Sequence, residues 1–316
     1  MKPAADAITC LKLCLVSMIW GGTFVAGRFL SDEMPPLLSA SLRFVMASLA
    51  LLGFLLLSRI PLVRLSTRQF LQLLLLGFFG IFLYNLCFFY GLREIGASRA
   101  ALIVALNPAV MALVARVFLR DTLSIGQLSG IALCLAGAGV VILGHAAPAL
   151  AGNAGSGWGD ALILGCVASW VIYSVCAREL SATIGPLQTV TLSILLGTAM
   201  LCAATLALGQ MQLVSLARVS GPGWLSLLYL GVVGSALAYI WYYDGIARIG
   251  VTRAGSFIAL NPLTAVLSGA LLLGETLTWR SCAGGGLIIA GILLCNAGAR
   301  LRLAWRARLQ ASPGSR

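Results

Sequence analysis

Charge is what this sequence has least of. Only 9% of its 316 residues are Asp, Glu, Lys or Arg, 60% are hydrophobic, and the mean hydropathy is +1.01. Soluble domains carry about 25% charged residues. Too few polar side chains exist to coat a globule, which argues against a water-soluble enzyme built on a large core. Histidine is almost missing: His145 is the single one, at a helix end, and reads as an exposed loop residue. It cannot supply a triad, and neither an HExxH nor a Walker pattern occurs. An intramembrane enzyme would need convergent acid, base or metal ligands. The sequence shows none, so no catalytic residue, metal or cofactor is expected. A sensor or scaffold would carry a soluble output domain, and the short connections leave no room for one. Cysteine is not scarce, with nine, yet there is no CxxC pair and all nine fall in or beside apolar runs. They read as free, structural thiols.

What the chain does have is long apolar runs. A membrane helix needs about 20 mostly apolar residues. Ten segments qualify: 11–30, 37–57, 70–91, 97–118, 124–144, 159–179, 186–208, 223–246, 251–273 and 279–299. The first resembles a signal peptide, but its apolar stretch is long enough for a membrane helix instead. The longest connection, His145 to Trp158, is rich in Gly and Ala and reads as a flexible linker. The fold class expected is therefore an all-α membrane protein with ten transmembrane helices.

The formal charge of +12 comes mostly from Arg at segment ends. This pattern points to orientation in the bilayer rather than to nucleic acid. An even helix count puts both termini on one side. With that side cytoplasmic, the inside holds Lys2, Lys12, Arg59, Arg64, Arg68, Arg116, Arg120, Arg178, Arg248, Arg253, Arg300, Arg302, Arg306, Arg308 and Arg316. The outside holds only Arg28, Arg93, Arg99, Arg218 and Arg280. The positive-inside rule favours cytoplasmic termini. The tail 301–316 is basic, and reads either as lying on the anionic inner surface or as a disordered end.

Two stretches stand out, "ALIVALNPAVMAL" (101–113) and "GSFIALNPLTAVL" (255–267). Both centre on Ala-Leu-Asn-Pro, and the register between them carries residues 77–140 onto 231–294 without a gap. "GLREIGASRA" (91–100) meets "GIARIGVTRA" (245–254), and "LRDTL" (119–123) meets "LGETL" (273–277). A weaker match pairs Trp20 and Arg28 with Trp170 and Arg178. The chain thus reads as two five-helix repeats, 1–145 and 155–300, followed by the tail. Because five is odd, the second repeat enters the bilayer from the opposite side, and the two are inverted. Inverted repeats characterise secondary transporters, with substrate bound near the midplane between them.

Asn107 and Asn261 fall about ten residues into their helices, at the midplane by the 1.5 Å helical rise. Pro108 and Pro262 lack the N–H that would bond Val104 and Ile258, so kinked helices with two free carbonyls are expected. Two readings stay open: a hinge or substrate contact lining a cavity, or a structural kink whose Asn bonds a neighbouring helix. Further candidate substrate-binding residues are the polar and aromatic residues at similar depth: Trp20, Thr23, Tyr84, Asn85, Phe88, Trp170, Tyr173, Tyr239 and Tyr242. Rings with one polar handle suit an amphipathic or aromatic ligand, and an aromatic belt or plain packing is the alternative. Trp241 and Tyr243, near a helix end, read as belt. Arg43 lies roughly 10 Å deep at 1.5 Å per residue and requires a partner. Asp32 and Glu33 are the expected one, a substrate carboxylate the alternative. Asp244 beside Arg248 reads as a gate or an interfacial ion pair. The four-residue spacings Gly126–Gly130 and Ala161–Gly165–Ser169 read as packing, within the bundle or in a homodimer.

Several of these segments resemble one known family. "IWGGTFVAGRFL" (19–30), "PPLLSASLRF" (35–44), residues 91–113 and residues 237–294, with "LLLGETLT" the most specific, are similar to the drug/metabolite transporter superfamily. Within it they resemble the ten-helix EamA branch of bacterial inner-membrane exporters. The resemblance implies two EamA repeats, alternating access, and efflux of amino acids, other metabolites or drugs. A nucleotide-sugar-like or other organic-anion carrier of the same superfamily is the alternative. Where many members carry Glu-Pro, this chain has Asn261-Pro262, which removes a protonatable carboxylate. Proton coupling, uniport and exchange stay open. The partners expected are a small-molecule substrate and the lipid bilayer, with no nucleic acid, and the chain acts as a monomer or homodimer. The charge count makes one expectation directly testable: a fluorescent protein fused after Arg316 should fluoresce in bacterial cells, whereas alkaline phosphatase fused there should be inactive. The reverse result would refute the cytoplasmic placement of that end.

Overall fold

The computed structural model describes residues 3–118, 125–146, 157–210, 219–249 and 257–294, and among them there is no strand. The helices are α1 (Pro3–Glu33), α2 (Pro36–Leu57), α3 (Thr67–Glu94), α4 (Ala97–Val104), α5 (Asn107–Phe118), α6 (Ile125–Ala146), α7 (Gly157–Ile184) and α8 (Pro186–Ala207). Next, α9 runs through three contiguous stretches, Gly221–Leu228, Tyr229–Leu237 and Ala238–Ile249. The last two described are α10 (Asn261–Leu272) and α11 (Trp279–Leu294). Six of them, α1, α2, α3, α7, α8 and α9, are long and apolar enough to cross a membrane. Shorter apolar helices make up the fourth, fifth, ninth and tenth crossings. The molecule is an all-α membrane protein of ten transmembrane helices in two inverted five-helix repeats. The linker 147–156 and the tail 301–316 lie outside the described residues.

Local chemistry sets the helix ends. Pro36 and Pro186 open α2 and α8, where the missing N–H costs nothing. Ser66 and Gln69 form a reciprocal capping box at the start of α3. The close of α2 is reproduced at the close of α8. Ile60 N–H bonds the Leu55 carbonyl and Arg59 N–H the Leu56 carbonyl, as Gln210 bonds Thr205 and Gly209 bonds Leu206. Arg59 and Gly209 both adopt the left-handed conformation that ends a helix this way (φ 53° and 63°). The 150-residue register seen weakly at Trp20 and Trp170 therefore holds through the second helix of each repeat.

Equivalent residues touch one another, the signature of a two-fold axis. Ser48 on α2 and its equivalent Thr198 on α8 share a hydrogen bond of 3.0 Å. Cys134 Sγ on α6 donates to the carbonyl of its equivalent, Ile288 on α11, at 3.5 Å. Between those two helices the contacts are reciprocal. A Cβ added at Gly137 would lie 2.6 Å from the Gly284 carbonyl, and one at Gly284 would lie 2.7 Å from the Gly137 carbonyl. Gly130 likewise abuts Gly291, so Gly130 serves packing inside the bundle. Gly165 faces Cys87 of α3 in the same way. Around this axis α1 packs on α9 and α10, while α7 packs on α3, α4 and α5. Each repeat thus places its first helix against the third and fourth crossings of the other.

The fourth crossing departs from the sequence expectation. It is not one kinked helix over 97–118: α4 ends at Val104, and Asn107 is the first residue of a new helix. In the ninth, a single 3₁₀ turn, Ile258–Leu260, leads into α10 at Asn261. The Ile258 carbonyl is not free, because the Asn261 N–H bonds it. Proline is cheap in the first turn of a helix and costly inside one, so each Asn-Pro starts a helix rather than bending it.

Close packing of α6 on α11 yields a paired prediction. Gly291→Leu would force its side chain into the Gly130 carbonyl and Cys134 Sγ, both 2.6 Å from the new Cβ. It should destabilise the detergent-solubilised protein by about 1–3 kcal/mol, the usual cost of overpacking. Gly139→Leu, on α6 with nothing within 4 Å, should leave the thermal midpoint unchanged.

Candidate functional site

Between the repeats lies a cavity of about 430 Å³. The first repeat contributes Trp20, Thr23 and Phe24 (α1), Arg43 and Phe44 (α2), Gly80, Tyr84 and Asn85 (α3), Ala101, Val104, Ala105, Asn107 and Met111. The second contributes Trp170 (α7), Gly234, Tyr239 and Tyr242 (α9), Ile258, Asn261, Pro262 and Ile292 (α11). Both Asn-Pro breaks open onto this space. Irregular backbone at membrane depth survives only where protein or a water-filled cavity receives it.

Two further breaks in regularity meet the same cavity. Residues Gly77–Leu83 of α3 and Tyr229–Leu237 of α9 are π-helical. These stretches coincide under the repeat register, and Gly80 and Gly234, which line the cavity, are equivalents. A π turn detaches carbonyls from the regular ladder and often marks functional positions. The Gly234 carbonyl accepts the indole N–H of Trp20 at 3.0 Å, and the Leu230 carbonyl accepts the Ser235 hydroxyl at 2.8 Å.

Aromatic rings form the walls, and they interlock across the repeats. Trp20 packs on Tyr239 and Tyr242 with ring centroids 5.5 and 5.2 Å apart. Trp170 packs on Tyr84 at 6.0 Å. Each repeat's first-helix tryptophan therefore contacts the third helix of the other. Tyr243, expected in an interfacial belt, instead stacks on Tyr239 at 6.4 Å and packs against the core.

Polar groups are few and specifically held. Arg43 is buried at 8% exposure. Its Nε donates to Ser235 Oγ at 3.1 Å and its Nη1 to Asn85 Oδ1 at 3.2 Å. The Asn85 amide in turn donates to the Ile81 carbonyl at 2.8 Å. The guanidinium stands 5.1 Å from the Phe44 ring and 5.7 Å from Phe88. The expected ion pair with Asp32 or Glu33 does not form. Asp32 bonds Arg28 at 2.6 Å, and Glu33 accepts from Ser220 Oγ at 2.5 Å. Both carboxylates end α1 at the bundle rim, where they keep partners and solvent without entering the hydrocarbon. Asn107 Oδ1 and Asn261 Oδ1 are buried atoms with no hydrogen-bond partner. The alternative of an Asn oxygen bonded to a neighbouring helix is thus not what the structure holds.

Of the residues predicted from sequence, Trp20, Thr23, Arg43, Tyr84, Asn85, Asn107, Trp170, Tyr239, Tyr242, Asn261 and Pro262 share this one cavity. Phe88 and Tyr173 do not line it. Phe88, 2% exposed, packs behind Phe24 and Tyr84, and Tyr173 fills the space that a side chain at Gly80 would take. The Pro108 side chain lies outside the described residues. Sequence reasoning missed Phe24 and Phe44, which look like any core phenylalanine. It also missed Gly80 and Gly234, whose signal, a glycine pair in repeat register, was legible.

At one end of the bundle three polar contacts latch the two repeats together. Glu275, past the end of α10, accepts from the Ala97 and Ser98 N–H groups at 2.6 and 3.0 Å and so caps α4. Glu33 accepts from the Ser220 N–H at 3.1 Å at the start of α9. Arg99 pairs with the buried Asp160 of α7. At the opposite end Lys12 reaches Asp244 at 3.5 Å, and Asp244 also bonds Arg248 at 2.7 Å, the ion pair anticipated there.

The fold is an inverted-repeat membrane bundle around a cavity that both repeats line. Residues 7–143 and 157–297 each match the EamA-like transporter family, and the chain belongs to that family. It is 30% identical over 282 residues to the uncharacterized inner membrane transporter YedA of Escherichia coli (strain K12), covering 89% of this chain and 88% of that one. It is 31% identical over 302 residues to a probable amino-acid metabolite efflux pump of Salmonella typhimurium (strain LT2), covering 91% and 94%. The uncharacterized transporter YyaM of Bacillus subtilis (strain 168) is 28% identical over 281 residues, covering 89% and 90%. One crystal structure superposes with a TM-score of 0.66 over 96% of this chain and 99% of that one. At 19% identity it attests the fold.

The Glu275 latch carries its own test. In a cysteine-free background, a cysteine at position 101, on the cavity wall, should react severalfold faster with a membrane-impermeant maleimide once Glu275→Ala removes the α4 cap. The acceleration is expected only from the face bearing Glu275, and an unchanged rate would discount the latch.

Proposed function

We propose that the protein exports small metabolites across a bacterial inner membrane by alternating access. Inverted repeats supply two nearly equivalent tilts, one open to each side. The observation that carries this reading is the cavity at the two Asn-Pro breaks, with two buried amide oxygens that no protein group satisfies. A buried polar atom without a partner costs about 1–3 kcal/mol, and a cargo donor would recover it. Aromatic walls and few polar groups fit a cargo with an apolar body and a small polar head. Amino acids and related compounds have that shape, and one relative is named for amino-acid metabolite efflux.

A nucleotide-sugar-like carrier fits less well, since Arg99, at the start of α4, is engaged by Asp160. The carboxylates in the described ion pairs and caps stand at the two ends of the bundle, away from the midplane. Exchange or facilitated movement therefore fits better than proton coupling through a cavity carboxylate. The orientation proposed has both termini in the cytoplasm.

In proteoliposomes of the purified chain, labelled amino acids from a broad metabolite panel should equilibrate faster than in protein-free vesicles. Asn107→Ala and Asn261→Ala should each lower the initial rate about tenfold, as loss of one or two hydrogen bonds implies, with insertion intact. No movement of any compound would refute transport, and full-rate variants would refute the role of the two asparagines.

A further inference from the structure

We infer that Arg43 is the docking group for a carboxylate on the cargo, so that the cavity selects monoanions or zwitterions over neutral and cationic relatives. This deepens the transport reading above and rests on it. Arg43 is nine-tenths buried and borders the cavity. Among the described residues no carboxylate pairs with it. Its two hydrogen-bond partners, Ser235 and Asn85, are both neutral and occupy only Nε and Nη1. A guanidinium has five N–H donors in a planar fork, so the Nη2 edge is left to whatever enters the cavity. That edge matches the two oxygens of a carboxylate.

Structural glue alone does not explain the residue. Holding α2 to α3 and α9 by two hydrogen bonds requires a donor, not a charge, and an intramembrane charge is expensive to keep. The repeat symmetry supports this view. Arg43 corresponds to Ser193 in the second repeat, a neutral hydroxyl that donates to the Val190 carbonyl at 2.9 Å and meets the Tyr173 side chain. Packing about the axis is satisfied there without a cation. The first turns of α5 and α10 also begin at the cavity, with Asn107 and Asn261 on its wall. Their dipoles present positive ends to it, which further favours an anion. A single cation set to one side of the axis gives the cargo a fixed head and tail, with the rings of Tyr84, Trp170 and Tyr239 left for its apolar body.

The test uses the purified full chain and four probes sharing one ring: phenylacetate, phenylacetamide, phenethylamine and phenyl phosphate, measured by equilibrium dialysis. Phenylacetate should bind about tenfold or more tighter than the amide, as a charge-assisted bidentate pair implies, and the amine should bind weakest. Arg43→Gln should erase the acid-over-amide preference, and Arg43→Lys should keep part of it. The wild-type series decides by itself should Arg43→Gln fail to fold. Equal binding of acid and amide, no binding of the acid, tighter binding of the amine, or a preference that survives Arg43→Gln would overturn the assignment. Tighter binding of phenyl phosphate would overturn it in favour of a phosphate site. Proteoliposomes separate the two levels. Transport of neutral or cationic compounds with no carboxylate moved sinks the Arg43 assignment and leaves transport standing. Acid-selective binding with no transport of any compound does the reverse.

Discussion

Hydrocarbon offers a peptide group nothing to bond with, and that constraint organises this molecule. Inside the bilayer each N–H and C=O must be satisfied within its own helix unless it faces protein or an internal water-filled space. Among the described residues the chain obeys along most of its length, and four departures from regular α-helix meet one another. These are the breaks before Asn107 and Asn261 and the π-helical stretches at Gly77–Leu83 and Tyr229–Leu237. All four contribute residues to one cavity. A membrane protein can keep such irregular backbone only around a space that compensates it, and the cavity is where the cost is recovered.

The second organising feature is the two-fold relation between repeats. Contacts such as Ser48 with Thr198 and Gly137 with Gly284 join equivalent surfaces. Polar contacts tie the repeats at both ends of the bundle, with Lys12 on Asp244 and Arg68 on Glu179 at one of them. Glu275 on α4, Glu33 on α9 and Arg99 with Asp160 join them at the other end. Contacts of this kind suit a gate. Glu33 and Glu275 lie near solvent, where breaking their contacts leaves charges hydrated rather than stranded, whereas Asp160 is buried. Perfect symmetry would leave the cavity without direction, and Arg43 breaks it by placing one cation where the other repeat has Ser193.

Much of the fold was legible before any coordinates. Ten apolar runs, short connections and the doubled Ala-Leu-Asn-Pro announce an inverted-repeat bundle, because side-chain hydrophobicity and segment length are local properties. Arg43, Trp20, Tyr239 and the two asparagines stood out for a related reason: a polar or amphipathic residue in hydrocarbon is costly wherever it faces lipid. Phe24 and Phe44 gave no such signal, since a phenylalanine on a cavity wall and one in the core have the same composition and spacing. Phe88 and Tyr173 erred the other way, as aromatic residues at the right depth that point behind the wall.

By itself the sequence determined that the chain lives in a bilayer, that it is built twice, and at what depth its polar residues lie. Those follow from hydropathy, repeat register and helical rise. Tertiary structure alone decided that Asn-Pro begins a helix, that both Asn oxygens are buried and unbonded beside the cavity, and that Asp32 and Glu33 serve Arg28 and Ser220 instead of Arg43. Partner choice among polar groups depends on which helix faces which across the bundle. Spacing along one helix cannot specify that, because the competing partners come from the other repeat.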